Sequence, residues 1–415
     1  MSTTTPPTRR VLVFNQYAKP LSEPGGTRHA ELFARLTGWE HVIVAADLDH
    51  FSRQRRHQPD PHFVRVRVPG YSGNDHRRVL SWIGYDHRAL RVALRQPRPD
   101  VVYASSPQIL APVAGWLAAR LRRARFVLEI RDLWPDSMVA AGYLRAGSPL
   151  HRALKALERW LYRRADRIVV VAEGWRSYLV AQGVDEARIE WVSNGAEPAD
   201  FALRPDRYRP LRSRVPVTGR LVVYAGAHGP FNGLDLLLDA AAELPEHTFV
   251  LIGDGLEKAR LVDRARIERL RNVHFLDTIP KQELAGILGD ADVGVHVLAD
   301  AEIFRLGASP NKLYDYLAAG LPVVTNCPDE PHDIVLAADA GVAVGPDELA
   351  AGLRKLLGED TATLRAMGER GRRYIEEHRS RTVMAVRLQQ LLDALVAPGT
   401  DRTDRGRVPA ATPGS

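Results

Sequence analysis

Short apolar runs rich in Val and Ile alternate with longer helical patterns along most of the chain, and this alternation is the signature of parallel sheets wound with helices. In the first half the strand candidates are Val11–Phe14, His41–Ala45, Phe63–Val68, Asp100–Ala104, Arg125–Ile130 and Arg167–Val171. Helical periodicity fills the intervals at Gly26–Leu36, Arg78–Arg95, Ile109–Arg122, Pro149–Arg164 and Gly174–Gln182. A second set of strands is expected at Arg220–Ala225, His247–Gly253, Asn272–Leu276, Ala291–Val297, Leu321–Thr325 and Gly341–Val344. Its helices are Leu234–Glu243, Leu256–Arg269, Gln282–Leu288 and Lys312–Ala319, with two closing patterns at Thr361–Glu377 and Thr382–Leu395. Between the sets, the stretch PADFALRPDRYRPLRSRVPVTGR is rich in Pro and Arg and reads as a linker.

The expected fold is therefore α/β, with two doubly wound domains. Residues 1–9 form a flexible start, 10–200 the first domain, 201–219 the linker, 220–375 the second domain, 376–396 a C-terminal helix and 397–415 a disordered tail. A length of 415 residues suits two domains at roughly 100 to 200 residues each.

Composition removes several classes. With 45% apolar and 26% charged residues the chain is globular, and its one cysteine, Cys327, leaves no disulfide framework and reads as a small core residue. No apolar run approaches the roughly 18 to 20 residues of a membrane span. The start, MSTTTPPTRR, lacks the apolar core of a secretory signal, which predicts a cytoplasmic protein. Charge is uneven: residues 1–200 hold 30 basic and 20 acidic side chains, leaving 27 and 30 of the totals of 57 and 50. The first half is thus +10 and the second −3, either a surface for phosphate, nucleic acid or anionic membrane, or a plain excess of arginine. No recognition-helix pattern or aromatic RNA platform supports nucleic acid.

Chemistry is expected at the strand-to-helix turns, where sheets of this kind bind ligands. Pro24-Gly25-Gly26-Thr27-Arg28-His29 follows the first strand, and its paired glycines either make a tight turn or let backbone amides approach an anion. Glu129-Ile130-Arg131-Asp132-Leu133-Trp134-Pro135-Asp136-Ser137 ends the fifth strand, as a site or as a surface ion pair before a helix. Ala225–Gly233 opens the second set with three glycines, Gly226, Gly229 and Gly233, around His228 and Asn232, and Gly253-Asp254-Gly255 forms a similar turn. Neither matches a dinucleotide fingerprint or a Walker loop. Further on, Ser309 is placed to cap a helix opened by Pro310 and ended by Gly320. Lys312 falls in its first turn, where the helix disfavours a cation without a nearby anion, and Asp315 lies on nearly the same face. A phosphate on Lys312 and a sugar hydroxyl on Asp315 would account for both. The 14 histidines show no metal-ligand spacing, so no metal or other cofactor is expected.

Taken in order, Gly25-Gly26, Arg131–Ser137, Asn194-Gly195, Ala225–Gly233 and Lys312…Asp315…Gly320-Leu321-Pro322-Val323 resemble family 4 of the retaining glycosyltransferases over roughly residues 10–395. The Arg131–Ser137 and Ser309–Tyr316 runs are most similar to the group containing the O-antigen N-acetyl-L-fucosaminyltransferase. The resemblance implies a GT-B fold of two Rossmann-like domains, the donor nucleotide sugar on the second, the acceptor on the first, chemistry in the cleft, and C-terminal helices crossing back to the first domain. It implies that Asp315, the second acid of the family's E-x7-E element, holds the ribose, and that Gly25 and Gly26 approach the donor phosphate. Four positions depart from the family. Gly307 stands for the first acid, Ala227 and Asn232 for the diphosphate-binding Arg and Lys, and Arg131 for a His after the fifth strand.

The resemblance implies a metal-independent enzyme moving a sugar, such as an N-acetylated hexosamine, from a UDP-linked donor with retention at the anomeric carbon. Lys312, Asp132 and Arg131 are the expected catalytic residues. Lys312 would meet the departing diphosphate, helped by Arg305 or Arg28, while Asp132 orients the acceptor hydroxyl and Arg131 pairs with an acceptor phosphate or with Asp132. Gly226, His228, Gly229, Asn232, Gly253, Ser309 and Asn311 complete the expected donor site. The acceptor is either a lipid-linked glycan or a small molecule. The basic helix 151–164, with Leu and Trp among its cations, either rests on the inner face of a membrane or packs on the first sheet. A degenerate sugar-nucleotide-binding protein without transfer activity is the competing reading.

Overall fold

The computed structural model describes residues 8–23, 26–50, 52–56, 59–71, 73, 76–300 and 305–397. The expected flexible start up to residue 7, the tail from 398 and Gly25 lie outside them. The chain forms two compact units, one of residues up to Val192 together with those from Ala385, the other of Ser193–Met384.

The first unit carries strands β1 (Arg9–Phe14), β2 (Trp39–Ala46), β3 (Phe63–Val66), β4 (Val101–Ser105), β5 (Arg125–Ile130), β6 (Arg167–Val170) and β7 (Ile189–Trp191). They form a parallel sheet in the order β3-β2-β1-β4-β5-β6-β7. Its helices are α1 (Arg28–Phe33), α2 (His76–Arg95), α3 (Ala111–Arg122), α4 (Asp136–Ala140), α5 (Pro149–Arg164) and α6 (Trp175–Ala181). The order reverses between β1 and β4, so the turns at their carboxyl ends border the crevice where such sheets receive ligands.

The second unit repeats the plan with β8 (Leu221–Ala225), β9 (Thr248–Ile252), β10 (Val273–Leu276), β11 (Val293–His296), β12 (Val323–Thr325) and β13 (Gly341–Ala343), in the order β10-β9-β8-β11-β12-β13. Its helices are α7 (Leu234–Glu243), α8 (Lys258–Ile267), α9 (Lys281–Ile287), α10 (Asn311–Ala318), α11 (Glu330–Ala337), α12 (Leu349–Leu357) and α13 (Thr361–Tyr374). Here the reversal falls between β8 and β11. Alternate residues of β8 enter different cores: Leu221, Val223 and Ala225 join Leu313, Tyr316 and Leu317 on one face, while Val222 and Tyr224 join Leu237, Leu238 and Leu353 on the other. Burial on both faces is why these strands read as unbroken apolar runs.

Two sequence expectations change. Phe201 and Leu211, inside the expected linker, are buried in the second unit's core beside Leu221 and Val223. The compact unit begins at Ser193, so the Pro- and Arg-rich stretch belongs to it, held by two anchors and two 3-10 turns rather than by a periodic face. Strand β7 and helices α4, α11 and α12 are additions to the elements expected from periodicity. The last helix, α14 (Arg381–Val396), starts in the second unit, and its residues from Ala385 count with the first.

Candidate functional site

In the second unit the turn after β8 is fixed by the turn after β9. Gly226 N donates to Ile252 O at 2.9 Å and His228 N to Asp254 O at 2.9 Å. A side chain on Gly253, at φ 147°, would begin 1.9 Å from Gly226 O, so only glycine lets the two backbones meet. Asn232 Oδ1 accepts from Gly229 N at 3.2 Å and serves as a brace of the loop. The His228 side chain is buried, 6.0 Å from the Tyr224 ring and 6.1 Å from Phe275, with no hydrogen-bond partner on either ring nitrogen. Burial, then the nearby Lys258, lowers its pKa to about 4, which leaves a neutral ring.

Lys312 stands above this loop. Its Nζ donates to Tyr224 Oη at 3.1 Å and lies 4.8 Å from that ring's centre, while Tyr224 Oη donates to Ala227 O. A side chain on Gly226 would begin 3.1 Å from Lys312 Cε, so the glycine makes room for the lysine. No carboxylate among the described residues pairs with it, and desolvation pushes its pKa down to about 8 although Cys327 opposes the shift. His296 at the end of β11 is buried, with Nδ1 2.9 Å from Thr325 Oγ1 and Nε2 without a partner. Burial and Lys312 hold it well below its ordinary pKa. Cys327 is a buried thiol, pushed up to about 12 by desolvation.

Other expected donor contacts are placed differently. Asp315 is nearly buried, and Lys281 Nζ donates to its carboxylate at 2.5 Å. Ser309 does not cap α10, whose first turn follows Pro310 with no side-chain cap. Its Oγ accepts from Asn194 N at 3.0 Å instead, because the Asn194 side chain also holds the Ser309 carbonyl. Asn311 is exposed, 3.5 Å from Arg381 Nη2, and Arg305 is exposed and paired with Asp300 at 3.3 Å. Gly307, at the family's first acid, has φ 107°, a conformation that strains any L side chain.

Sequence reasoning misses Lys258 and Lys281. Lys258 Nζ donates to Gly253 O at 2.9 Å, Leu276 O at 3.2 Å and the exposed Asp277 at 2.7 Å, tying together the ends of β9 and β10. A signal for them exists: among 57 basic residues only six are lysine, and Lys258, Lys281 and Lys312 each occupy the first turn of a helix.

In the first unit the cations of the opening turn have a partner. Gly26 is described, with its carbonyl accepting from Lys19 N at 3.1 Å. Arg28 Nε donates to Glu129 Oε1 at 2.9 Å and Arg28 Nη2 to Val192 O at 2.5 Å. His29 Nε2 lies 2.7 Å from Glu129 Oε2, and Tyr103 Oη donates to Glu129 Oε1 at 2.8 Å. All four side chains are buried. Burial works to raise the Glu129 carboxyl, but His29 and Arg28 outweigh it and hold it well below the ordinary range. Burial likewise lowers His29.

Beyond β5, Arg131 N donates to Ser106 Oγ at 3.3 Å, and Asp132 keeps exposed surface. Desolvation by the protein around it raises the Asp132 carboxyl, with Arg131 pulling the other way. Asp136 is an anchor: it accepts from Tyr178 Oη at 2.8 Å and Lys155 Nζ at 3.1 Å, fastening α4 to α5 and α6. Trp82 and Trp134 meet edge to face at 5.8 Å, and Trp82 Nε1 donates to Tyr17 Oη at 2.7 Å. Asp86, also missed, sits 3.4 Å from Gln108 Nε2 and is pushed up to about 7 by burial. The apolar side of α5 is taken up within the unit, Trp160 lying edge to face with Trp116 of α3 at 4.6 Å. No helix among the described residues is long and apolar enough to cross a membrane.

Comparison with known proteins agrees with this layout. A family model described as a glycosyl transferase 4-like domain matches residues 27–195, and one described as glycosyl transferases group 1 matches residues 219–359. A protein of Escherichia coli K12 named for a colanic acid biosynthesis glycosyl transferase, WcaI, is 27% identical over 55% of this chain, which spans 58% of that protein's length. A D-inositol 3-phosphate glycosyltransferase of Corynebacterium aurimucosum is 29% identical over 87% of this chain and 90% of its own. Among solved structures, sucrose-phosphate synthase of Thermosynechococcus elongatus aligns with a TM-score of 0.73 at 18% identity, covering 93% of this chain and 99% of that one. Anabaena HepE in complex with UDP-glucose aligns at 0.68 and 16%, covering 93% and 99%. With two parallel α/β units, each matched by its own glycosyl transferase model, the chain belongs to the family 4 glycosyltransferases and has the GT-B fold.

Proposed function

We propose that this chain moves a sugar from a UDP-linked donor, held by the second unit, to a hydroxyl of an acceptor carried by the first, with retention at the anomeric carbon and without a metal. The observation that carries the reading is Lys312: a desolvated ammonium over a glycine loop, with no carboxylate partner among the described residues. Such a cation stabilises charge that develops on a departing diphosphate. In the proposed step the bond from the anomeric carbon to the diphosphate oxygen breaks as the bond to the acceptor oxygen forms on the same face. The acceptor proton passes to the departing oxygen, and Asp132 orients the hydroxyl. UDP-glucose bound to Anabaena HepE supports the choice of donor, and the resemblance of the Arg131–Ser137 run supports an N-acetylated hexosamine.

The relatives' names support either a polysaccharide intermediate or a small polyol as acceptor. A lipid-linked intermediate would bring the protein to the inner face of the membrane, where exposed Leu121 and Leu150 and the arginines of α3 and α5 would meet it. The test is consumption of labelled UDP-sugars by the wild type and by Lys312→Met. Transfer or hydrolysis by the wild type that is lost in the variant supports the assignment, and equal rates would sink it. One observation favours the competing reading of a binding protein without transfer activity: Gly307 stands at the family's first acid, and Ala227 and Asn232 at its diphosphate-binding Arg and Lys. Nucleotide-sugar binding with no turnover of any UDP-sugar would select it.

A further inference from the structure

The chain enters the second unit at Ser193 and leaves it after Met384, and within that unit the two passages run side by side. Ser193 Oγ lies 3.2 Å from Met384 Sδ, and Thr382 Oγ1 donates to Glu197 Oε2 at 2.9 Å. A side chain on Gly195 would begin 2.0 Å from Arg379 O, so glycine alone lets the two backbones meet. Both passages then reach the same place, the start of α10. On the incoming side Asn194 N donates to Ser309 Oγ at 3.0 Å and Asn194 Nδ2 to Ser309 O at 2.6 Å. On the outgoing side Arg381 Nη2 donates to Asn311 Oδ1 at 3.5 Å. These contacts flank Pro310 and end one residue short of Lys312.

Apolar packing fixes that part of α10 less than the rest. Leu313 through Ala318 are buried and hold the body of the helix, whereas Asn311 is exposed and Ser309 and Pro310 are half-buried. No side chain caps the helix, and Pro310, which lacks an N–H, fixes its own φ without tying the turn to a neighbour. Asn194 is itself buried, so its planar amide is a firm support for Ser309. The Lys312 stem rises from this turn and carries Nζ to 3.1 Å from Tyr224 Oη. Displacing the turn displaces the ammonium, and a misplacement of about 1 Å can cost on the order of 10²-fold in rate.

We infer that Asn194 is a positioning residue for the transfer reaction: through Ser309 it sets the first turn of α10 and so holds the Lys312 ammonium at the place of the donor diphosphate. The inference rests on the reading of Lys312 as the cation for that diphosphate. It gives Asn194 a task that needs no contact with substrate.

The test is a double-mutant cycle on the binding of UDP and of uridine, measured calorimetrically on the full chain as wild type, Asn194→Ala, Lys312→Met and the double variant. Lys312→Met should weaken UDP by about tenfold or more and leave uridine, which has no phosphate, unchanged. Asn194→Ala should weaken UDP about three- to tenfold, again sparing uridine, and should add nothing to Lys312→Met. Equal loss of UDP and uridine in Asn194→Ala, or a loss that adds to that of Lys312→Met, makes Asn194 part of the scaffold and overturns the proposal. So does undiminished UDP binding in Asn194→Ala where Lys312→Met is weakened. UDP binding that Lys312→Met leaves unmoved, or that the wild type lacks, overturns the reading of Lys312 and this proposal with it. If Asn194→Ala does not fold, Ser309→Ala takes its place in the cycle. It removes one of the two contacts at a half-buried position, and the expected loss is about two- to threefold.

Discussion

The first strand-to-helix turn of each unit opens on glycines and brings a cation close, yet the two cations end in opposite circumstances. Arg28 and His29 are buried against Glu129, which the Arg28 charge and the His29 hydrogen bond hold ionised. Lys312 is desolvated against an aromatic hydroxyl, and no carboxylate among the described residues meets it. One arrangement balances its charge inside the fold, and the other leaves its charge without an ion-pair partner among the described residues. Burial of charge therefore does not by itself mark a site; burial without a matching charge does.

The largest effect should come from breaking the self-satisfied cluster. Glu129→Ala strands Arg28 and His29, and removing one member of a buried pair costs about 3–5 kcal/mol. Urea unfolding measures it, and a loss under about 1 kcal/mol would show the cluster to be no more than a surface-like pair. The sign with pH follows from the depressed carboxyl. Its contribution is present above the ordinary value of 4.5 and is lost as pH falls through the lower folded value. The gap between wild type and variant should therefore close in acid.

Next in size, Lys312→Met should slow transfer by about 10²–10³-fold, the loss seen when one charge-stabilising donor is removed. Stability should hold or rise, because the lysine is desolvated at a cost that methionine does not share. A variant that is as active as the wild type, or one that unfolds, would place Lys312 with Arg28 on the structural side of the comparison.

A smaller effect separates the two by pH. With Lys312 lowered to about 8, the ammonium is lost as pH rises through that value, and kcat/KM should fall about tenfold per unit beyond it. In Lys312→Arg the alkaline limb should vanish, since a guanidinium stays charged. A profile flat to pH 9.5 in the wild type would exclude a titrating Lys312 from the free enzyme's essential groups.

Both sheets are legible in the amino-acid sequence, because burial on two faces leaves runs such as Leu221–Ala225 without polar interruption. Lys312 is legible for a local reason, its place at the wrong end of a helix dipole. Glu129 is not, although it stands in a motif that the sequence singles out. Its meaning depends on Arg28, 101 residues away in sequence, and only the pairing of β1, β4 and β5 brings them together. The linker reading fails because Phe201 and Leu211 anchor that stretch singly, and a periodicity argument needs repeated contacts.

Lys281 and Asp315 fall between the two circumstances and give the finest test. As a pair they look like Arg28 and Glu129 in miniature, yet they are less buried, with side chains 29% and 11% exposed. If the pair is structural, Lys281→Met leaves a nearly buried carboxylate alone, and stability should fall by about 1–3 kcal/mol with KM for the nucleotide sugar unchanged. If Asp315 is held in reserve for a ribose, freeing it should lower that KM by about 3- to 10-fold, on the order of 1 kcal/mol, with little loss of stability. Asp315→Asn decides between them in the opposite sense. It keeps a polar side chain beside Lys281 but weakens acceptance of a ribose hydroxyl, so KM should rise only in the second case. The expected result is the second, because the open lysine side of the pair can yield to a ligand where the sealed Arg28 cannot. A KM unmoved in both variants would join Asp315 to the self-satisfied class and leave Lys312 as the cation on which the donor assignment rests.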